Sequence, residues 1–208
     1  MRVMRTIFLG VCGLIVLGAG EGAAPYTNDF EKAETLPAEF LIVQGQFAVA
    51  KEGTNKYLEL SGEPLDSFGF LAGPEGATAV GARIRASSTG KRMPEFGVGL
   101  GGAGGYRLWV MPAAGEIQIL KGDEVVAAKQ YEWRSGIWTQ LRFEMIKGEG
   151  EKFVLRGKAW EDGKAQPAMW MITANVEAKP VNGRASYWGT PYSGTPIGFD
   201  DVYAGEAK

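Results

Sequence analysis

Hydrophobic and polar positions alternate with period two from Ile137 to Lys147. Ile137, Thr139, Leu141, Phe143 and Met145 fall on one face, and Trp138, Gln140, Arg142 and Glu144 fall on the other. Successive side chains of a strand point to opposite faces, so this pattern predicts a half-buried β-strand. The run Phe153 to Trp160 repeats it, with Phe153, Leu155 and Ala159 inward and Arg156, Lys158 and Trp160 outward. The intervening Gly148-Glu149-Gly150 predicts a hairpin. Further short runs at Phe40–Val43, Gln46–Ala50, Tyr57–Leu60, Phe68–Leu71, Ala79–Arg85, Phe96–Leu100 and Tyr106–Met111 read as strands. So do Ile117–Leu120, Val125–Lys129, Met169–Ala174, Arg184–Trp188 and Ile197–Tyr203. Turn signals such as Lys121-Gly122-Asp123 and Glu161-Asp162-Gly163 separate them, and no segment after residue 25 carries ten residues of helical periodicity. The expected fold is all-β, a two-sheet antiparallel sandwich or barrel in a single domain over 26–208.

The first twenty residues follow another pattern. Arg2 and Arg5 precede an apolar run from Ile7 to Leu17, and Gly18, Ala19 and Gly20 follow it. A basic start, a short apolar stretch and a small-residue exit read as a secretory signal over 1–20, with the mature chain starting near Glu21. The run is too short to span a hydrocarbon core of about 30 Å as a stable anchor; an uncleaved N-terminal anchor is the alternative. Cys12 is the single cysteine, and Val11 before it is too large for a lipobox, so lipidation is not expected. The expected location is exported, periplasmic or extracellular, with no membrane attachment after cleavage.

Beyond that signal the chain has no Cys and no His. This excludes disulfides, thiol nucleophiles, Ser-His-Asp triads and zinc sites built on His or Cys. Exported sandwiches of eukaryotes often carry a disulfide, so the lack of one favours a bacterial route. Loss of Arg2 and Arg5 leaves 22 − 2 = 20 basic residues against 24 acidic ones, a net charge of −4. Such a balance gives no basic excess for nucleic acid. The glycine-rich stretch 97–105 lacks the Lys-Ser/Thr of a phosphate loop and reads as a flexible hairpin tip.

Three segments together resemble the concanavalin A-like (laminin G-like) jelly-roll superfamily. The first is Asn28-Asp29-Phe30-Glu31, followed by Gly45 to Val49 and Asn55 to Leu60. The second is Gly136 to Phe143, leading to Lys158-Ala159-Trp160-Glu161-Asp162-Gly163, Pro167 and Trp170. The third is Gly198-Phe199-Asp200-Asp201-Val202-Tyr203. In order and spacing they are similar to bacterial secreted members, including domains grouped with keto-disaccharide hydrolases. The resemblance implies a jelly roll whose terminal strands are neighbours, and a monomer that meets a glycan or polysaccharide.

Two sites follow as expectations. Asp29 and Glu31, opening the first strand, and Asp200 and Asp201, entering the last, would meet where those strands pair. Clustered carboxylates suit a structural Ca2+, which takes 6–8 oxygen ligands, and similar acidic pairs in related sandwiches hold a cation; strand capping by Asp200 and Asp201 is the alternative. If the central strands share one sheet, Arg107, Trp109, Arg142, Arg156 and Trp160 face outward together as a ligand surface, with Arg83 and Arg85 beside them. Indoles stack on sugar rings and arginine forks bind hydroxyls or carboxylates, with room left by Gly97 and Gly99; the alternative is Trp buried beneath a loop. For catalysis, the Glu-x-Asp-x-x-Glu strand of laminarinase-like members is absent, and Glu144, Glu161 and Asp162 are the acids near the groove. Trp138 and Phe143 read as core and packing residues. Three functions stay open: a carbohydrate-binding, lectin-like module, a glycoside hydrolase-like enzyme acting on a modified disaccharide, and a structural or adhesive cell-surface domain.

Overall fold

The computed structural model describes residues 24–63, 68–150, 152–177 and 182–208. The expected signal peptide lies outside them. The alternating runs form fifteen strands and, among the described residues, no helix. In chain order they are β1 (Tyr26–Asn28), β2 (Leu41–Gln44), β3 (Phe47–Glu52), β4 (Asn55–Leu60), β5 (Phe68–Ala72), β6 (Ala79–Arg85), β7 (Glu95–Leu100) and β8 (Tyr106–Met111). There follow β9 (Glu116–Lys121), β10 (Glu124–Gln130), β11 (Thr139–Lys147), β12 (Phe153–Glu161), β13 (Ile172–Val176), β14 (Ala185–Thr190) and β15 (Ile197–Gly205). One sheet has eight strands, ordered β13-β12-β11-β6-β15-β4-β3 with β1 also on β15; the other has seven, ordered β10-β9-β8-β7-β14-β5-β2. The result is an all-β sandwich of two antiparallel sheets, consistent with a jelly roll.

The inward half of each alternating run builds the core between the sheets. Phe70 of β5 stacks on Phe40 and on Tyr187 of β14, both with ring centroids 4.9 Å apart, and Phe199 of β15 meets it edge-on at 5.6 Å. Val80, Ile84, Leu108, Ile117, Ile119, Phe143 and Leu155 fill the other end, all fully buried. Each such side chain contributes roughly 1.5–3 kcal/mol when it leaves water. Tyr187 is fully buried as well, and its hydroxyl donates to the carbonyl of Tyr203 at 2.9 Å. Burial of the phenol holds its pKa well above the ordinary value.

Three expectations change here. Gly97 and Gly99 are interior to β7 rather than part of a hairpin tip; the turn begins at Gly101. Asp29 and Glu31 follow β1 instead of opening it, and Asp200 and Asp201 sit in the middle of β15. There Asp200 pairs with Arg83 and Tyr203 with Gly81, so three steps along β15 match two along β6. The extra residue is a β-bulge, and Asp201 takes the left-handed conformation (φ 47°) that such a bulge uses. The bulge puts two consecutive aspartates beside one arginine.

Candidate functional site

Sheet membership splits the expected ligand surface. Arg107 and Trp109 are on β8 of the seven-stranded sheet, whereas Arg142, Arg156 and Trp160 are on β11 and β12 of the eight-stranded one. Both sets face away from the core, because alternation fixes the face of a sheet. It does not fix which sheet a strand joins. Trp109 is not an open indole: it is 4% exposed, and its Nε1 donates to Glu95 at 3.0 Å. The space expected above Gly97 is taken by Trp109, and that above Gly99 by Arg107 of β8 and, from the other edge of β7, Ser186 of β14.

The outer face of the eight-stranded sheet carries a continuous polar array. Register places Trp160, Gln140, Arg83 and Asp200 in one row across β12, β11, β6 and β15. Arg83 is its centre. Its Nη2 donates to Asp200 Oδ2 and to Asn55 Oδ1 at 2.8 Å, its Nη1 donates to Asp162 Oδ2 at 3.0 Å, and its Nε lies 3.3 Å from Asp201 Oδ2. Gln140 donates to the other oxygen of Asp162 at 2.9 Å. Burial works against ionised Asp162, but hydrogen bonds from Gln140 and Arg83 hold its carboxyl below the usual pKa. Asp201 shifts the other way, raised by burial and then by the neighbouring Asp200.

One row further on, Trp138 stands over the array, with the guanidinium carbons of Arg83 and Arg85 at 4.7 and 4.9 Å from its ring. Tyr57 of β4 meets it edge-on at 5.5 Å, and Arg85 ion-pairs with Glu52. Both rings close over Gly198 of β15, where a Cβ would come within 3.0 Å of each. Beside them Tyr57, Glu59, Arg85, Ser87, Thr195 and Gly198 line an open depression of about 270 Å³. Trp138 is therefore a surface aromatic, not core. Its phase with Gln140 and Arg142 was the signal for this, while Tyr57 and Glu59 gave none, because only the β4–β15 pairing brings them here.

Glu144 is 4% exposed, and both its oxygens are engaged. Arg142 Nε donates to Oε1 and Arg156 Nε to Oε2, each at 2.9 Å. Arg142 also lies over Tyr203, and Arg156 over Trp170. Glu161 pairs with Arg134 and Lys164. Glu144 and Glu161 are separated by five residues along β11, since Glu161 pairs with Thr139. At about 3.3 Å per residue that is roughly 16 Å, too far for the separation of about 5–10 Å that a glycosidase pair needs. Of the three acids near the expected groove, Glu144 and Glu161 thus stand too far apart to act as a pair, and Asp162 is bonded to Arg83 and Gln140. Glu144→Gln should instead leave two half-buried guanidinium groups short of charge and cost about 2 kcal/mol. Urea unfolding measures this; an unchanged midpoint would remove Glu144 from the list of structural ion pairs.

The terminal strands do pair, Asn28 opposite Val202, and Asp29 and Asp201 line one cleft of about 790 Å³. The four acids expected to bind calcium nevertheless do not converge. Asp29 accepts from the Glu31 amide, Glu31 accepts from the Lys56 amide, and Asp200 is fully buried against Arg83 and Asn55. Among the described residues no three acidic side chains form a metal-binding group. The positive charge that Asp200 and Asp201 meet is a guanidinium, and this donor set does not fit the 6–8 oxygens of calcium.

No protein-family model matches the sequence, and no curated protein matches it. Solved structures match in fold. CBM66, a carbohydrate-binding module from Bacillus subtilis, aligns with a TM-score of 0.55 at 15% identity over 79% of this chain and 93% of that one. The Crh5 transglycosylase in complex with NAG gives 0.58 at 10% identity over 90% and 86%. The CBM2 module of the evolved Dit from Lactobacillus casei BL23 phage J-1 gives 0.52 at 11% identity over 86% and 93%. At these identities the likeness is one of fold, a sandwich found in carbohydrate-binding and carbohydrate-processing proteins alike.

Proposed function

We propose that this domain is a carbohydrate-binding module of an exported protein, and that it binds a sugar on the outer face of the eight-stranded sheet. The observation that carries the proposal is an open depression lined by Tyr57, Arg85 and Glu59, with Trp138 beside it against Tyr57 and Arg85. Sugar recognition needs an aromatic surface for the C–H face of the ring and planar polar groups for its hydroxyls, and all of these are present within two strand rows. Trp160, half-buried at the end of the Arg83 row, extends the surface. The binding modules among the fold neighbours support the reading. A transglycosylase is among the fold neighbours too, but the candidate acids Glu144, Glu161 and Asp162 are each engaged in ion pairs, which favours binding over catalysis.

Trp138→Ala tests it. A central aromatic in a binding site typically supplies about 2 kcal/mol or more, so retention in native gels containing laminarin, levan or dextran should fall at least about tenfold. The melting temperature should drop only a few degrees, since Trp138 is partly exposed on the outer face and no part of the core between the sheets. Wild-type protein retarded by none of these polymers, or a variant retarded as strongly as wild type, would count against the site.

A further inference from the structure

Arginines on the outer faces of the two sheets are of two kinds. Arg83, Arg85, Arg142 and Arg156 each reach a carboxylate. Arg107 of β8 reaches none among the described residues. Its Nη2 donates to the carbonyl of Gly122 at 2.9 Å, and its Nε is buried with no hydrogen-bond partner. The guanidinium carbon lies 5.4 Å from the ring of Trp109 and 5.4 Å from that of Trp188 on β14. Burial lowers the pKa of this side chain, opposed by the more distant Asp123.

The seat around it is built by missing side chains. The two indoles lie over strand positions that lack a Cβ: one added to Gly97 would come 2.7 Å from Trp109 Cε3, and one added to Gly69 would come 2.4 Å from Trp188 Cε3. At Gly99 a Cβ would meet Ser186 Oγ at 2.5 Å and Arg107 Cγ at 3.0 Å. Ser186 is fully buried and Trp188 is 7% exposed, yet Ser186 Oγ and Trp188 Nε1 also have no partner. Two buried groups able to donate thus end unpaired beside a half-buried cation whose own Nε is unpaired as well. Buried donors left unpaired are costly, and a partly desolvated charge without a counterion more so. An acceptor carrying negative charge answers the guanidinium, which no carboxylate among the described residues ion-pairs.

We infer that the outer face of the seven-stranded sheet is a second binding surface, which takes an anionic saccharide with its carboxylate or sulfate on Arg107. The class of ligand rests on the carbohydrate reading above; the place and the charge rest on Arg107 alone. The guanidinium fork binds such an oxyanion through two parallel hydrogen bonds, and the flanking indoles keep water away from the pair. A chain of net charge −2 gains no general attraction for acidic polymers, so binding depends on this one cation.

The experiment compares wild type, Arg107→Gln, Arg107→Lys and Lys129→Gln in native gels containing polygalacturonate, dextran sulfate or neutral dextran. Lys129 is exposed on the edge strand β10, so its variant is matched in charge but remote from the seat. Retention of wild type and Lys129→Gln by an acidic polymer, with at least about tenfold weaker retention of Arg107→Gln, establishes the surface; the polymer that retains it tells carboxylate from sulfate. Arg107→Lys keeps the charge and loses the fork, and should bind more weakly than wild type. It stands in if Arg107→Gln fails to fold, and equal retention of Arg107→Lys and wild type then overturns the inference. Equal retention of folded Arg107→Gln and wild type by acidic polymers overturns it too. Neutral polymers retained without any acidic binding overturn it while the carbohydrate reading stands, and no retention by any polymer removes both.

Discussion

Arg83→Met should destabilise the domain by about 3–5 kcal/mol, the usual cost of removing one partner from a buried ion network. The stem remains to pack beneath Trp138, but Asp200, which has no exposed surface, keeps only Asn55 and its own turn as partners. Asp162 and Asp201 lose the same guanidinium. For a chain of this size the loss corresponds to a fall of roughly 10 °C in melting temperature. The sign with pH is fixed by the two carboxyls. Asp162 is held below its ordinary pKa, so its contribution is present above its unfolded value and is lost as pH falls through the folded one. Asp201 is raised, so its contribution is full below its unfolded value and is lost as pH rises through the folded one. Without Arg83 the acids repel one another when ionised, and protonation relieves them. The gap between variant and wild type should therefore be widest near neutral pH and narrow toward about pH 4. Urea titrations at both pH values measure it. A variant that melts with wild type would mean that the network is a surface ornament. Asp200→Asn combined with Arg83→Met should cost less than the sum of the two single changes, because both remove the same contact.

Gly97→Ala should be comparably severe. A Cβ there would stand 2.1 Å from the carbonyl oxygen of Leu108 and 2.7 Å from Trp109 Cε3. The first contact is backbone and cannot turn aside, so the pairing of β7 with β8 has to open. Overpacking of this kind costs about 1–3 kcal/mol or more, against a gain of about 0.5–1 kcal/mol from replacing glycine within a strand. Strain wins. Gly104→Ala, only seven residues on, is the contrast: a Cβ there meets nothing within 4 Å. Its only effect is to stiffen the unfolded chain, which stabilises by about 0.4–1 kcal/mol. Thermal melts of the two variants should move in opposite directions. Equal and small shifts would show that β7 tolerates a methyl group and that the glycine seat on the seven-stranded sheet is not close-packed.

The two glycines also show where sequence reasoning stops. Gly97 and Gly104 belong to one glycine-rich stretch, and composition gives them the same meaning, a loose hairpin tip. The first is a strand position over which an indole lies; the second is a turn residue facing solvent. Only the neighbouring strand distinguishes them. The same holds for Glu144, whose place in an alternating run showed that it faces outward but not that Arg142 and Arg156 close on it.

What the sequence determined by itself was local. Period two set the strands, the face each side chain takes and hence the sandwich, because a half-buried strand writes its own exposure into alternation. It put Arg83, Gln140, Arg142, Arg156 and Trp160 outward, and the structure agrees. Pairing was decided elsewhere. Arg107 and Trp109 joined the opposite sheet from Arg142 and Trp160, Tyr57 arrived beside Trp138 across β15, and a bulge of one residue brought Asp200 and Asp201 to Arg83. These choices depend on contacts between residues far apart in the chain, and a strand's alternation is the same whichever neighbour it takes. The face of each residue is therefore a property of its own strand, and its partners are a property of the assembled sheets.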